Sequence, residues 1–193
     1  MSIRVSLSDI ADIKFCIVNS SKEAAADSKW IMAANLLCDN IILGKFEENK
    51  AKPDESLRIQ KNDIIIKRIS PSYINFIDDK LDNIYAYNNL IIVRPKAVDA
   101  KYLAYYLSRK IKEFSENTSV GAVMPSIGRP ELESFKIPIL PVNEQKAIGE
   151  LWYQGIEKKK MLLHLAKLEN EKELYLLNKY VDKKMGGSKH DNI

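Results

Sequence analysis

Two histidines and two cysteines in 193 residues leave little from which to build a metal centre. His164 and His190 stand apart from each other and from Cys16 and Cys38, and no CxxC pair is present, so zinc-ligand spacing is missing. The same scarcity excludes a disulfide framework and points to two reduced, mostly buried thiols. Glycine is scarce as well. Its seven residues are scattered, with no Walker A loop, no dinucleotide-binding pattern and no GxSxG elbow. No loop is therefore built to cradle a phosphate or a methyl donor, and no cofactor is expected. Apolar runs such as 64–66 stop far short of the ~18 residues that a membrane helix needs. The opening MSIRVSLSD carries neither an apolar h-region nor a small-residue cleavage site, so no signal peptide is expected. The reading is a cytoplasmic protein.

What is present supports an ordinary folded domain. Hydrophobic residues make up 46% and charged residues 29%, enough for a core and a solvated surface. The net charge of +4 permits a nucleic-acid partner without requiring one.

The chain divides near Pro141 into unlike parts. Before it, short runs rich in Ile, Val and aromatics predict strands at 3–7, 30–32, 41–43, 63–69, 90–93 and 135–139. The run Ile64-Ile65-Ile66 lacks alternation, which predicts a strand buried on both faces. A helix is predicted over 99–117, with Asp99 as N-cap and Tyr102, Leu103, Tyr106, Leu107, Ile111 and Phe114 at helical spacing. Core packing explains Tyr102, Tyr105 and Tyr106 better than base stacking does.

After Pro141, residues 143–185 contain no proline and only Gly149 and Gly155. Asn143 is a candidate cap with Glu144 in the first turn. Ile148, Leu151, Trp152, Ile156, Leu162, Leu163, Ala166, Leu174, Leu177 and Val181 form an apolar stripe. A helix of ~40 residues extends ~60 Å, too far to bury that stripe on a domain of this size. It needs another long helix, from a second copy or another protein. The expected layout is a domain over 1–142, a helical arm over 143–185 and a frayed tail over 186–193.

One nuclease-like hint exists: Asp63, then Asp78-Asp79-Lys80, could hold a divalent ion at a phosphate. A polar loop between strands accounts for the second group equally well, and that reading is preferred.

The segment FKIPILPVNEQKAI at 135–148 resembles the end of a target recognition domain in specificity subunits of type I restriction–modification systems. Pro138 and Pro141 suit an extended exit from a sheet, and the Asn-Glu-Gln step opens a helix. Further segments resemble the same family: VSLSDIADI at 5–13, NIILGKF at 40–46, LRIQKNDIIIKR at 57–68 with Asn62 where glycine is usual, NNLIIVRP at 88–95, and GAVMPSI at 121–127.

The resemblance implies an α+β target recognition domain with a mixed, barrel-like sheet and flanking helices, followed by a long coiled-coil helix. It implies a non-catalytic subunit that binds double-stranded DNA and serves a methyltransferase subunit and, through it, a restriction subunit. Such subunits usually carry two recognition domains and two helical spacers. One of each stands here, so the expectation is half a subunit that restores a two-fold arrangement as an antiparallel homodimer. A rival reading is a regulatory coiled-coil dimer that does not itself read DNA. Another is the recognition module of a split enzyme with a lone methyltransferase.

Candidate DNA contacts follow from residue type and placement. The loop after the buried strand, 67–75, offers Lys67, Arg68, Ser70, Ser72, Tyr73 and Asn75. A second loop, 119–129, offers Ser126 and Arg129 beside glycine and proline. Lys45 and Lys50 lie in a polar loop and suit phosphates. The block Lys158-Lys159-Lys160 reads as a solvated helix face, with docking on a methyltransferase subunit as the alternative.

Overall fold

Three consecutive isoleucines set the architecture, because Ile64, Ile65 and Ile66 are all buried and a strand points successive side chains to opposite faces. One strand must therefore serve two cores. The computed structural model describes residues 3–18, 28–42, 46–48, 52, 54–117 and 126–186. The chain opens with strand β1 (Ile3–Ser6), a helical turn α1 (Leu7–Ile10) and strand β2 (Ala11–Phe15). Short strands β3 (Lys29–Ile31), β4 (Leu36–Cys38), β5 (Ile41–Ile42) and β6 (Glu47–Glu48) follow. The centre is built from β7 (Ile64–Lys67), β8 (Ile74–Phe76), β9 (Ile84–Ala86) and β10 (Leu90–Pro95). Helices α2 (Ala100–Asn117) and α3 (Arg129–Glu133), strand β11 (Lys136–Ile139) and the long helix α4 (Val142–Gly186) complete the order.

The main sheet runs β2-β10-β7-β8, all antiparallel. On one face Ile64, Ile66, Ile74, Phe76, Ile91 and Val93 meet Leu103, Leu107 and Ile111 of α2. On the other, Ile65, Leu90 and Ile92 meet Ile31, Leu36, Ile59 and Cys16. Burial pushes the Cys16 thiol up to about 12, so it is a protonated core residue. The remaining strands form β1-β11, β6-β3-β9 and β4-β5 pairings, with β3 and β9 parallel. No closed sheet is found among the described residues, so the barrel-like part of the expectation is not borne out. The fold class is mixed α+β.

Asparagine does the work that glycine does elsewhere. Asn40, Asn62, Asn83 and Asn89 all have positive φ, which asparagine tolerates better than other side chains. Asn62, at φ 70°, turns the chain into β7 directly before Asp63. Asp63 is fully buried and forms a two-point pair with Arg94, Nε to Oδ1 at 2.8 Å and Nη2 to Oδ2 at 2.8 Å. Its Oδ2 also accepts from the Gln60 N–H at 2.8 Å, and Arg94 donates onward to the Arg58 carbonyl at 3.1 Å. Hydrogen bonding to Asp63 raises the Arg94 pKa further above its ordinary value. The nuclease-like hint dissolves here, since Asp63 is already neutralised by arginine.

Helix α2 is capped as expected, with the Tyr102 N–H donating to Asp99 Oδ1 at 2.9 Å. Tyr102 is core, its hydroxyl donating to the Pro138 carbonyl at 2.7 Å. Helix α4 starts one residue earlier than expected, and the Pro141 carbonyl, accepting from Glu144 and Gln145, opens it rather than an Asn143 cap. The buried Gln145 side chain accepts from the Asp99 N–H at 2.9 Å and donates to the Leu140 carbonyl at 2.8 Å. One turn on, Gly149 is needed for close approach: a Cβ there would lie 2.6 Å from the Tyr102 backbone nitrogen.

The chain forms two units, Met1–Tyr153 and Gln154–Ile193. The first turns of α4 thus belong to the domain. Ile148 and Trp152, expected in a dimer interface, pack instead against the first core, with Trp152 edge-on to Phe76 at 6.4 Å. The Tyr153 ring sits 5.9 Å from Phe76, and its hydroxyl donates to Asp78. In the second unit, Leu162, Leu163, Ala166, Leu174, Leu177 and Val181 are exposed, as are Leu165, Leu168, Tyr175 and Leu176 outside the predicted stripe. Residues 187–193 of the expected tail lie outside the described residues.

Two substitutions test this account. Asp63→Ala strands a partly buried guanidinium and should cost about 3 kcal/mol in urea unfolding; a change below ~0.5 kcal/mol would refute the role given to the pair. Gly149→Ala should destabilise by about 1–3 kcal/mol although alanine favours helix, because the added carbon meets backbone. Equal or greater stability would show that the Asp99–Tyr102 turn yields.

Candidate nucleic-acid interface

Strand β7 ends at Lys67, and the chain reverses through 68–73, including a cis Ser70–Pro71 peptide, before β8 begins. The Lys67 N–H donates to the Tyr73 carbonyl at 2.8 Å, closing this hairpin, and the Lys67 ammonium lies 5.3 Å from the Tyr73 ring centroid. Arg68 is tied on two sides. Its N–H donates to the Asn89 carbonyl at 2.9 Å, and its carbonyl accepts from the Ile127 N–H at 3.1 Å. The Arg68 side chain returns to the same partner, Nε–H to the Ile127 carbonyl at 3.1 Å. Ile69 and Ser126 then form an antiparallel bridge.

These bonds join the two candidate loops. Residues 67–73 and 126–129, far apart in the sequence, form one edge beyond the end of the main sheet. Phe15, at the end of β2, lies beneath it. The Arg68 guanidinium carbon is 5.7 Å from its ring centroid and that of Arg129 is 4.6 Å. Arg129 is exposed and also pairs with Glu133 at 3.0 Å, within the short helix α3. Ser126 is exposed, and Ser70 and Tyr73 are half-buried. Ser72 is buried, its hydroxyl donating to the Arg68 carbonyl at 3.5 Å, so it holds the loop rather than facing outward.

Asn75 is a correction. It lies on β8 rather than in the loop, opposite Ile65, and is fully buried. Strand alternation sends Ile74 and Phe76 to the first core and Asn75 to the other face, so its side chain has no access to a groove. Its amide has no hydrogen-bond partner among the described residues. Lys45, Lys50 and the 119–125 part of the second loop lie outside the described residues.

Phe15 was not among the sequence candidates. The signal was present: Ala11, Ile13 and Phe15 alternate with Asp12 and Lys14, a strand pattern. Of the groups named for a metal site, Asp63 is held by Arg94 and Asp78 by Tyr153, and Lys80 pairs with Asp82 at 3.4 Å. No group of three His, Cys, Asp or Glu side chains suited to a metal occurs among the described residues. No described helix is long and apolar enough to cross a membrane.

Comparison with known proteins gives a concordant picture. A type I restriction enzyme specificity subunit of Methanocaldococcus jannaschii is 47% identical over 53 residues, covering 28% of this chain and 12% of that protein. The HsdS subunit from Thermoanaerobacter tengcongensis superposes with a TM-score of 0.61 at 20% identity, over 94% of this chain and 44% of its own. A chain from a structure of type I R-M system assembly and conformational transition gives 0.62 at 19%, over 94% and 45%. The S subunit from M. genitalium gives 0.60 at 17%, over 89% and 43%. These structures establish a shared fold, and this chain spans less than half the length of each relative. Residues 4–159, most of the chain, match the type I restriction modification DNA specificity domain, and the chain belongs to that family.

Proposed function

We propose that this chain reads DNA sequence as the specificity component of a type I restriction–modification complex, in the cytoplasm, and directs a methyltransferase subunit and a restriction subunit to a two-part site. The observation that carries the reading is the joining of 67–73 to 126–129 through Arg68 and Ile127. Base discrimination needs side chains held in fixed geometry, and a doubly anchored edge on a rigid sheet supplies it. Arg68 and Tyr73 are assigned to base selection, Ser70, Ser126 and Lys67 to neighbouring contacts, and Arg129, Lys45 and Lys50 to phosphates. Asn75 and Ser72 leave the list because they are buried.

Methyl transfer and cleavage belong to the partner subunits. The helix beyond Tyr153 pairs with a second copy in this reading, antiparallel, through Leu162, Leu163, Ala166, Leu174, Leu177 and Val181. Two recognition domains at the ends of that spacer would contact two half-sites whose separation the helix length sets.

Two measurements test the proposal. Methylome sequencing of cells with and without the chain should show a two-part, near-palindromic methylated motif that disappears with it. An unchanged methylome would leave a regulatory dimer as the better reading. Light scattering of the purified chain at tens of micromolar should give a dimer, and Leu162→Glu with Leu163→Glu should give a monomer, because each buried leucine contributes ~1.5–3 kcal/mol. A monomeric wild-type chain would overturn the homodimer.

A further inference from the structure

Phe15 touches two cations brought from distant parts of the sequence. Register places it there. Phe15 pairs with Ile91 on β10, Ile91 pairs with Ile66 on β7, and Lys67 and Arg68 follow Ile66 directly. The ring is therefore fixed to the central sheet, while Arg68 approaches from the end of β7 and Arg129 from the start of α3. The two guanidiniums lie within about one Debye length of each other (~10 Å at 0.1 M salt), so they repel unless something offsets them. The negative face of the aromatic ring does so in part. Glu133 balances Arg129, whereas Arg68 has no carboxylate partner among the described residues. A positive charge is left over at the edge of the interface.

Resting on the DNA-reading function above, we propose that Phe15 is the positioning residue of this interface, and that the Arg68 fork it holds selects a guanine in each half-site. The Nε–H is spent on the Ile127 carbonyl. The two Nη groups remain as a planar pair of donors, and contact with the ring limits how that plane can rotate. Guanine, with O6 and N7 side by side in the major groove, is the base edge that accepts such a fork. Lysine serves less well: an ammonium can reach O6 and N7 but has no plane for the ring to orient. A phosphate clamp, by contrast, would tolerate lysine.

The experiment uses the full chain, co-purified with its methyltransferase subunit, and a pool of duplexes with randomised sequence. Wild type should enrich a motif containing a G·C pair in each half. Arg68→Ala should lose preference at that pair, by roughly 5- to 150-fold, and Arg68→Lys should weaken it. Phe15→Leu should lose it at the same pair, by roughly three- to tenfold, and Phe15→Tyr should keep it. Retention of the guanine preference by Phe15→Leu, or by Arg68→Ala, would overturn the proposal while leaving DNA reading intact. Wild type enriching no motif at all would instead overturn the DNA-reading function itself. Thermal melting shows whether Phe15→Leu folds; should it not, Phe15→Met, which fills more of the ring's volume without its negative face, takes its place.

Discussion

The structure depends on one constraint, that β10 and β7 must bury both of their faces. Leu90, Ile91, Ile92 and Val93 are all buried, as are Ile64, Ile65 and Ile66. Helix α2 covers one face, and the segments around β3, β4 and β9 cover the other. Burying a large aliphatic side chain contributes ~1.5–3 kcal/mol, so this pair of strands is a major share of the domain's driving force. It also explains why a charged pair is tolerated there. Asp63 enters β7 where no water can reach it, and Arg94 on the neighbouring strand supplies two donors in the geometry that a carboxylate accepts. Net stabilisation from such a pair is modest. Its stronger effect is on register: slipping β7 against β10 by one residue would part Asp63 from Arg94 and exchange the two cores.

Much of this was legible. Three isoleucines without alternation announce a strand covered on both sides, and Asp99 before a helical apolar spacing announces the cap of α2. The long proline-free tract announces α4. Other elements were hidden for identifiable reasons. Strands β4, β6, β8 and β9 are two or three residues long, too short for periodicity to declare itself. Asn75 shows the cost of that. Without knowledge that β8 begins at Ile74, an asparagine after Ser-Pro-Ser-Tyr looks like loop, and its burial follows only from pairing with β7. The start of the α4 stripe was ambiguous for a related reason. An apolar stripe does not say which neighbour covers it, and Ile148 and Trp152 are claimed by the domain core before any second helix can use them.

The family-like segment at 135–148 acquires physical content from the same contacts. Gln145 bridges the Asp99 N–H and the Leu140 carbonyl, so it ties the entrance of α2 to the exit of β11. A shorter side chain would leave both backbone groups without that partner. Gly149 lets the backbone of α4 come against the Asp99–Tyr102 turn. The motif is thus a joint between two helices and a strand rather than a DNA contact. Within the domain, it fixes where the first turns of the helix begin.

Under the proposed DNA-reading function, the two-sided burial of the sheet also limits where recognition would occur. A sheet with one open face could present a broad surface to DNA; this one has none to spare. Side chains able to reach a groove must come from the turns at strand ends, where backbone would otherwise be loose. The answer here is mutual anchoring. The turn after β7 and the segment before α3 brace each other through Arg68 and Ile127, and both lean on a ring that belongs to β2. Rigidity is passed from the core to the loops through one aromatic side chain and a few hydrogen bonds.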